Sequence, residues 1–447
     1  MGSSERRFVL RHRLARIADG FAIAVAVALP WSISETEFLL LIWLIVLIPS
    51  LDRAVLLQEI KTPAGGLPIV LFVVGALGMA WADVSWSERL GGFDSFFKLL
   101  MIPLVLCQFR RSENGLGVLV GYLASCTVLL AVSLASMAWQ WNDPEFTYDF
   151  GVPVKNIGTQ NTEFICCSFG LLFLAIEKYR RGRPRFAVGM LVLAVVFLAT
   201  SFYLDLVYAA VAIIPLGALV TSPILLVVLS SKELSRVRVL GLLGVGAIMC
   251  SLLWFYSLPQ PHYLASMASD IIQTWPETER GWEGLLPVFW ERSLNFITDA
   301  PILGHGTGSI HKLFAESGWE TTNPLQQTFA VGLQIGVIGI CVLWAMWLSH
   351  LRLFRGSSLP HWVGLVVVIQ NIVGSLFDSQ LFDSTLGWTY VFGVGVAGGM
   401  VRQLRADAAP APQLRAYECP SMMIYVFALV VSAQIGVIAA LVWHFIL

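Results

Sequence analysis

The chain has 447 residues, of which 57% are hydrophobic and 13% charged, with a formal net charge of −1 and a mean hydropathy of +0.75. That apolar share is beyond what a soluble domain carries, and it is gathered into long runs, so the composition excludes a soluble globular enzyme. The expected environment is a lipid bilayer, and no nucleic-acid partner is expected.

A hydrocarbon core of about 30 Å needs roughly 20 apolar residues in a helix. Runs of this kind fall near 17–34, 37–51, 67–82, 97–109, 116–138, 161–177, 186–203, 205–229, 239–257, 328–349, 361–377, 386–401 and 422–446. No run alternates polar and apolar residues as a barrel strand does, and backbone groups in lipid must be satisfied within their own segment. The predicted fold is therefore an all-α polytopic membrane protein with 12 to 13 transmembrane helices and one large, partly helical periplasmic loop.

Positive charge sets the orientation. With the N-terminus in the cytoplasm, 22 of the 28 Lys and Arg residues fall inside. Only Arg89, Lys98, Lys155, Arg280, Arg292 and Lys312 fall outside. The first apolar run is too long for a cleaved signal peptide and reads as a retained helix. The chain divides into an N-terminal bundle (1–257), a large periplasmic loop (258–324), C-terminal membrane helices (325–402), and a cytosolic linker with a last helix (403–447). The linker reading rests on Ala408-Ala409-Pro410-Ala411-Pro412. None of the seven cysteines lies in the large loop, so neither a disulfide framework nor a thiolate metal site is expected there.

The loop 258–324 is far longer than the connections usual between packed helices, and loops of that length are usually functional. Pro287 to Phe296 reads as a helix stopped before Pro301, and Trp275, Trp282, Trp290 and Trp319 suit an interfacial aromatic belt. The run Gly304-His305-Gly306-Thr307-Gly308-Ser309 lacks the Lys-Ser/Thr pair of a P-loop. It reads either as a tight turn with positive φ at Gly304, Gly306 and Gly308, or as a nest of amides facing an anion. His305 and His311 are candidates to carry a proton beside it. Asp205, Glu163, Asp378 and Asp383 lie at the outer ends of spans.

The order of these features resembles the O-antigen ligase and polymerase superfamily. The resemblance runs through Trp86 to Lys98 with Glu88-Arg89, the loop helix at Trp290, Ala300-Pro301-Ile302-Leu303-Gly304-His305-Gly306-Thr307-Gly308-Ser309, Asn323-Pro324, and Gln334-Ile335-Gly336-Val337-Ile338-Gly339. It implies a glycosyltransferase of the bacterial inner membrane, facing the periplasm. Such an enzyme moves a glycan from undecaprenyl pyrophosphate to a saccharide or lipid A core acceptor, with no cofactor and no metal. The pyrophosphate calls for cations, and the expected set is Arg280, Arg292, Lys312, Arg89 and Lys98. The acceptor hydroxyl calls for a base, expected among His305, His311, Asp378 and Asp383. Asp378, Gln380 and Asp383 are further candidates for hydrogen bonds to an acceptor sugar. Gly304, Gly306, Gly308, Asn323, Gln326 and Gln327 form the loop motif.

The chain departs from the family pattern at the expected histidine and at two expected arginines, one at the outer end of the seventh or eighth span and one a turn before the loop Trp, which Ser201-Phe202-Tyr203-Leu204-Asp205 and Leu285-Leu286-Pro287 do not supply. The histidine that follows Asn-Pro in the family is Leu325 here, followed by Gln326 and Gln327. The loop 258–324 also carries eight acidic residues against Arg280, Arg292 and Lys312, a net of minus five. Two readings stay open: an active enzyme with displaced groups, or a scaffold of the same fold with its chemistry lost. A polysaccharide or lipid transporter is the alternative class.

Overall fold

A computed structural model describes residues 3–142, 151–207, 282–319, 321–376 and 378–407. The spans read at 205–229, 239–257 and 422–446, and with them Arg280 and most of the loop's first half, lie outside or largely outside the described residues. Among the described residues every regular element is helical.

Helices α1 (Ser3–Ala28) and α2 (Ile33–Ser50) form a hairpin. The broken pair α3 (Arg53–Ile60) and α4 (Pro63–Gly78) follows. Next come α5 (Trp86–Phe97), a 3-10 turn (Lys98–Leu100) and α6 (Met101–Phe109). Then come α7 (Gly115–Asn142), α8 (Ile157–Arg180) and α9 (Pro184–Val207). The later segment holds α10 (Trp282–Asp299), the short α11 (Ile310–Glu316), α12 (Gln327–Leu353), α13 (Leu359–Gly374) and α14 (Ser384–Asp407). Among the described residues, six helical stretches are long and apolar enough to cross a membrane, and the α3–α4 pair, bent by 78°, makes a seventh if counted as one span. The chain is thus a multi-pass α-helical membrane protein. The run read as a separate span at 97–109 is the second half of one continuous stretch, Trp86–Phe109, whose first half carries Glu88 and Arg89.

Local sequence explains the helix starts. Ser85 and Glu88 form a reciprocal capping box at α5, Asn156 accepts from Thr159 N at α8, and Thr62 caps α4 ahead of Pro63. The core lies between α1, α2, α4, α6, α12, α13 and α14, around Trp43, Phe109, Trp347, Trp362 and Tyr390. A buried polar network crosses it: Trp43 donates to Gln108 Oε1, Gln108 donates to Asp19 Oδ1, and Ser112 and Asn114 donate to Asp19 Oδ2. In lipid, such groups tie α1, α2 and α6 together because separation would strand them without water.

At one end of the bundle Glu59, 1% exposed, receives Arg110 at 2.8 Å and faces Arg402 at 3.5 Å.

The fold's decisive irregularity is in α12. Ile335 (φ −133°, ψ 18°) and Gly336 (φ 62°, ψ −161°) interrupt the helix. A break frees backbone groups, which membrane interiors tolerate only where other protein satisfies them.

Candidate functional site

The glycine run supplies those partners. His305 N donates to Leu333 O at 2.8 Å, Gly306 N to Gln334 O at 2.9 Å, and Val337 N to Pro301 O at 2.9 Å. The Gln334 side chain adds a clamp, accepting Gly308 N through Oε1 and donating through Nε2 to Ala330 O. The segment is wedged between the broken helix and the end of α4, where Thr307 N donates to Gly78 O and Thr307 Oγ1 to Gly75 O. Gly304, Gly306 and Gly308 have φ of 66°, 94° and 93°. A side chain at Gly306 would meet Ala82, and one at Gly308 the backbone of Glu88. The turn reading therefore holds. The amides from Gly304 to Ser309 each donate inside the chain, so the loop serves as a plug for the helix break.

The Asn-Pro turn follows the same logic. Asn323 Oδ1 accepts Leu325 N, and Gln326 Oε1 caps α12 by accepting Phe329 N. Leu325, at φ 55°, is the only non-glycine residue with positive φ among the described residues. Its side chain is 5% exposed in an apolar cluster with Phe289, Ile310, Phe314, Ala330 and Leu333. Trp290, expected at the membrane interface, packs at 6% exposure and donates to Leu325 O.

From this turn contacts lead to the segment 375–383, between α13 and α14. Asn323 Nδ2 donates to Asp378 Oδ1 at 2.7 Å, Gln327 N donates to Ser375 O, and Gln327 Oε1 accepts Leu381 N and Phe382 N. Lys98, 7% exposed, donates to Phe382 O at 2.9 Å and Asp383 O at 2.6 Å. Asp383 Oδ1 caps α14 by accepting Thr385 N and Leu386 N. Across from it the segment before α8 brings Lys155, which donates to Leu29 O and lies 3.7 Å from the fully buried Glu163. Asp383 is within electrostatic reach of Lys98, Lys155, Glu163 and Asp378. Two cations and three carboxylates therefore gather at one end of an apolar bundle.

Burial holds the Asp378 carboxyl above its ordinary range, while hydrogen bonds from Asn323 and Ser379 pull it partly back and Asp383 adds to the rise. Burial pulls the Lys155 ammonium down, against the carboxylates of Glu163 and Asp383.

The other expected residues are distributed elsewhere. Lys312 pairs with Asp83 at 2.6 Å and lies 3.8 Å from Glu316. That contact holds Asp83 below, and Lys312 above, their ordinary values. Arg89 donates to Val84 O and Met79 O and sits 4.8 Å over the Trp86 ring, while Arg292 donates to Ser317 O. His305 Nε2 lies 2.8 Å from Phe296 O, and His311 is exposed. Of the expected cations among the described residues, only Lys98 reaches the 375–383 cluster.

Sequence reading passed over Lys155 as a functional group, and over the run Thr159 to Thr162 that leads to Glu163, each at most 6% exposed. It also passed over Gln370 and Asn371, at 3% and 4%. The signal was present: two adjacent amides inside the apolar run 361–377 are costly in lipid unless something binds them. No metal-binding group of three or more His, Cys, Asp or Glu side chains occurs among the described residues. A scan of protein-family models gives no match to this chain, and a search of curated proteins gives none either.

Proposed function

We propose that the protein is a membrane glycosyltransferase working at the outer face of a bacterial inner membrane, taking a glycan from a polyprenyl pyrophosphate donor to a hydroxyl acceptor. The observation that carries this reading is the convergence of Asn323, Asp378, Asp383, Lys98, Lys155 and Glu163 around one short turn at the end of the bundle where the loop docks. A polar set of this kind in an apolar protein carries a desolvation cost, and its clustering beside the structural bonds its members make supports a functional reading.

In this reading Asp378 is the base. Its carboxyl is held by Asn323 and Ser379 through Oδ1, and its raised proton affinity suits proton transfer nearer neutrality than an ordinary aspartate. The acceptor oxygen bonds to the anomeric carbon, the bond from that carbon to the pyrophosphate oxygen breaks, and the acceptor proton passes to Asp378. The polyprenyl pyrophosphate leaves with the bonding pair. Leu325 takes no proton, so the base duty that the family resemblance assigns after Asn-Pro moves to the facing turn.

The test is transfer of a labelled glycan from undecaprenyl pyrophosphate in proteoliposomes. Asp378→Asn, which retains the Oδ1 acceptor, is expected to lower turnover by about 10²-fold or more. Wild-type rates in that variant refute the assignment of the base, and no transfer by the wild type to any saccharide or lipid acceptor refutes the enzyme reading. A transporter is the second reading, favoured by the break in α12 and the buried Lys155–Glu163 pair, both features of transport proteins. Movement of the lipid-linked glycan between leaflets without transfer would select it.

A further inference from the structure

The end of the bundle away from the turn 375–383 holds a second polar arrangement, at the corner where α3 meets α4 at 78°. From this corner α4 runs to Gly78, beside the glycine run, about 24 Å for its 16 residues. α3 therefore lies across the direction in which α4 traverses the bundle, the attitude of an interfacial helix. The corner is fixed by its sequence. Thr62 caps α4 and donates Oγ1 to Glu59 O at 2.7 Å. At Gly65 and Gly66 an added Cβ would fall 2.4 Å from Glu59 O and 2.5 Å from Ile60 O, so only glycine lets the first turn of α4 press on the end of α3.

Five cations stand at this corner against two carboxylates. Glu59 Oε1 accepts Arg110 Nη1 at 2.8 Å, and Oε2 stands 3.5 Å from Arg402 Nε without a hydrogen bond. Asp52, the N-cap of α3, pairs with Arg111 at 3.1 Å. Arg53 and Lys61, at the two ends of α3, are exposed and pair with no group among the described residues. A guanidinium carries five N–H donors. Arg110 donates one of them among the described residues and Arg402 none, yet their side chains are only 29% and 25% exposed. Half-buried charged donors without acceptors call for an anion, and phosphate oxygens match the guanidinium fork. Leading away from the corner, α4 carries an exposed apolar stripe, Val70, Val73 and Leu77, three and four residues apart on one face, and α3 adds the exposed Leu57.

We propose that the α3–α4 corner binds the headgroup of an anionic phospholipid. Its phosphate oxygens take the unused donors of Arg110, Arg402, Arg53 and Lys61, and its acyl chains lie along the apolar stripe of α4. A free phosphate ion meets the cations but leaves the stripe uncovered, so the lipid is the occupant. The site lies at the far end of α14 from the 375–383 turn and stands whether or not the protein transfers glycans. The α8–α9 corner is basic too, with Arg180, Arg181, Arg183 and Arg185, but these are fully exposed. Such a patch attracts anionic lipid through a long-range field that salt screens, to a Debye length of about 3 Å at 1 M, whereas contacts to half-buried guanidiniums are screened far less.

A ligand that binds the folded state raises the unfolding midpoint, which gives a readout independent of any activity. The full-length protein in detergent micelles, in about 1 M sodium chloride, is titrated with phosphatidylglycerol, phosphatidylcholine or inorganic phosphate, and thermal unfolding is followed by tryptophan fluorescence. Phosphatidylglycerol is expected to raise the midpoint by several degrees, and the other two to leave it in place. The double variant Arg53→Gln with Lys61→Gln removes two side chains that hold nothing in the fold, so its lipid-free midpoint is expected to match the wild type. Its half-saturating phosphatidylglycerol concentration is expected to rise several-fold. Arg402→Gln, compared by its own shift, is expected to behave likewise, and Arg183→Gln with Arg185→Gln to titrate as the wild type does. Equal stabilisation by phosphatidylcholine or by inorganic phosphate overturns the proposal. So does an unchanged titration in both corner variants, or an equal loss in the α8–α9 variant.

Discussion

Replacing Gly336 by alanine tests whether the loop truly plugs the break in α12. Gly336 sits at φ 62°, ψ −161°, a region open essentially to glycine alone, and an added Cβ would fall 2.2 Å from Ile302 O. The backbone penalty is of order 1–3 kcal/mol. The clash is with main chain, so Pro301–Leu303 must move, and the bond from Val337 N to Pro301 O is lost with it, at about 1 kcal/mol. The expected loss is therefore about 3 kcal/mol. Gly91→Ala is the matched control, since its Cβ meets nothing within 4 Å and the helix interior favours alanine by about 0.5–1 kcal/mol. Thermal unfolding in detergent is followed with a dye that fluoresces on reacting with newly exposed thiols, reporting on buried Cys107, Cys126 and Cys167. Gly336→Ala is expected to lower the midpoint by several degrees while Gly91→Ala holds or raises it. Equal midpoints for Gly336→Ala and wild type would refute the plug.

Two further predictions concern the turn 375–383. Lys98→Met leaves the carbonyls of Phe382 and Asp383 without their charged donor and is expected to cost about 2 kcal/mol in the same assay. Lys98→Arg, a broader planar donor in the same buried place, is expected to rescue it only in part. Asp378 has a folded-state proton affinity raised above its ordinary value of 3.8, so the stability it contributes is fully present below that pH and is lost as pH rises through the folded value. Asp378→Asn is expected to flatten that part of the stability–pH profile. An unchanged slope would show that burial does not raise this carboxyl.

The helical class and the turn chemistry were legible because lipid and backbone sterics write them directly into residue type. Long apolar runs, the capping residues Ser85, Asn156 and Thr62, and the three glycines with positive φ each have a local cause. The partners of the charged groups were not legible. Nothing local says that Lys98 will cap carbonyls at Phe382 and Asp383, some 284 and 285 residues away, or that Lys312 will pair with Asp83. A charge count over the loop treats Arg292 and Lys312 as available cations, whereas packing commits them to Ser317 O and to Asp83. The break at Gly336 was within a recognised motif, yet its meaning required the loop that fills it.

Leu325 is where the two open readings of the enzyme part. A leucine at φ 55° is strained, by roughly 1–2 kcal/mol relative to a residue free of the penalty, and such strain persists where the surroundings over-determine it. Here they do: Asn323 Oδ1 fixes its amide, Trp290 its carbonyl, and Phe289, Ile310 and Phe314 enclose its side chain. Histidine tolerates this backbone better than leucine, so Leu325→His keeps the turn. Its imidazole, though, would lie in the apolar cluster, and replacing the buried leucine contacts is expected to cost about 2 kcal/mol. If base duty has moved to Asp378, Leu325→His lowers stability and leaves glycan transfer unchanged or reduced. If the chain is a scaffold that lost its chemistry with this residue, the same substitution raises transfer above wild type, and the assignment of Asp378 fails. The cluster argues for the first outcome, because Leu325 is packed as a core residue and its neighbours Phe289, Ile310, Phe314 and Leu333 offer an imidazole no side-chain partner.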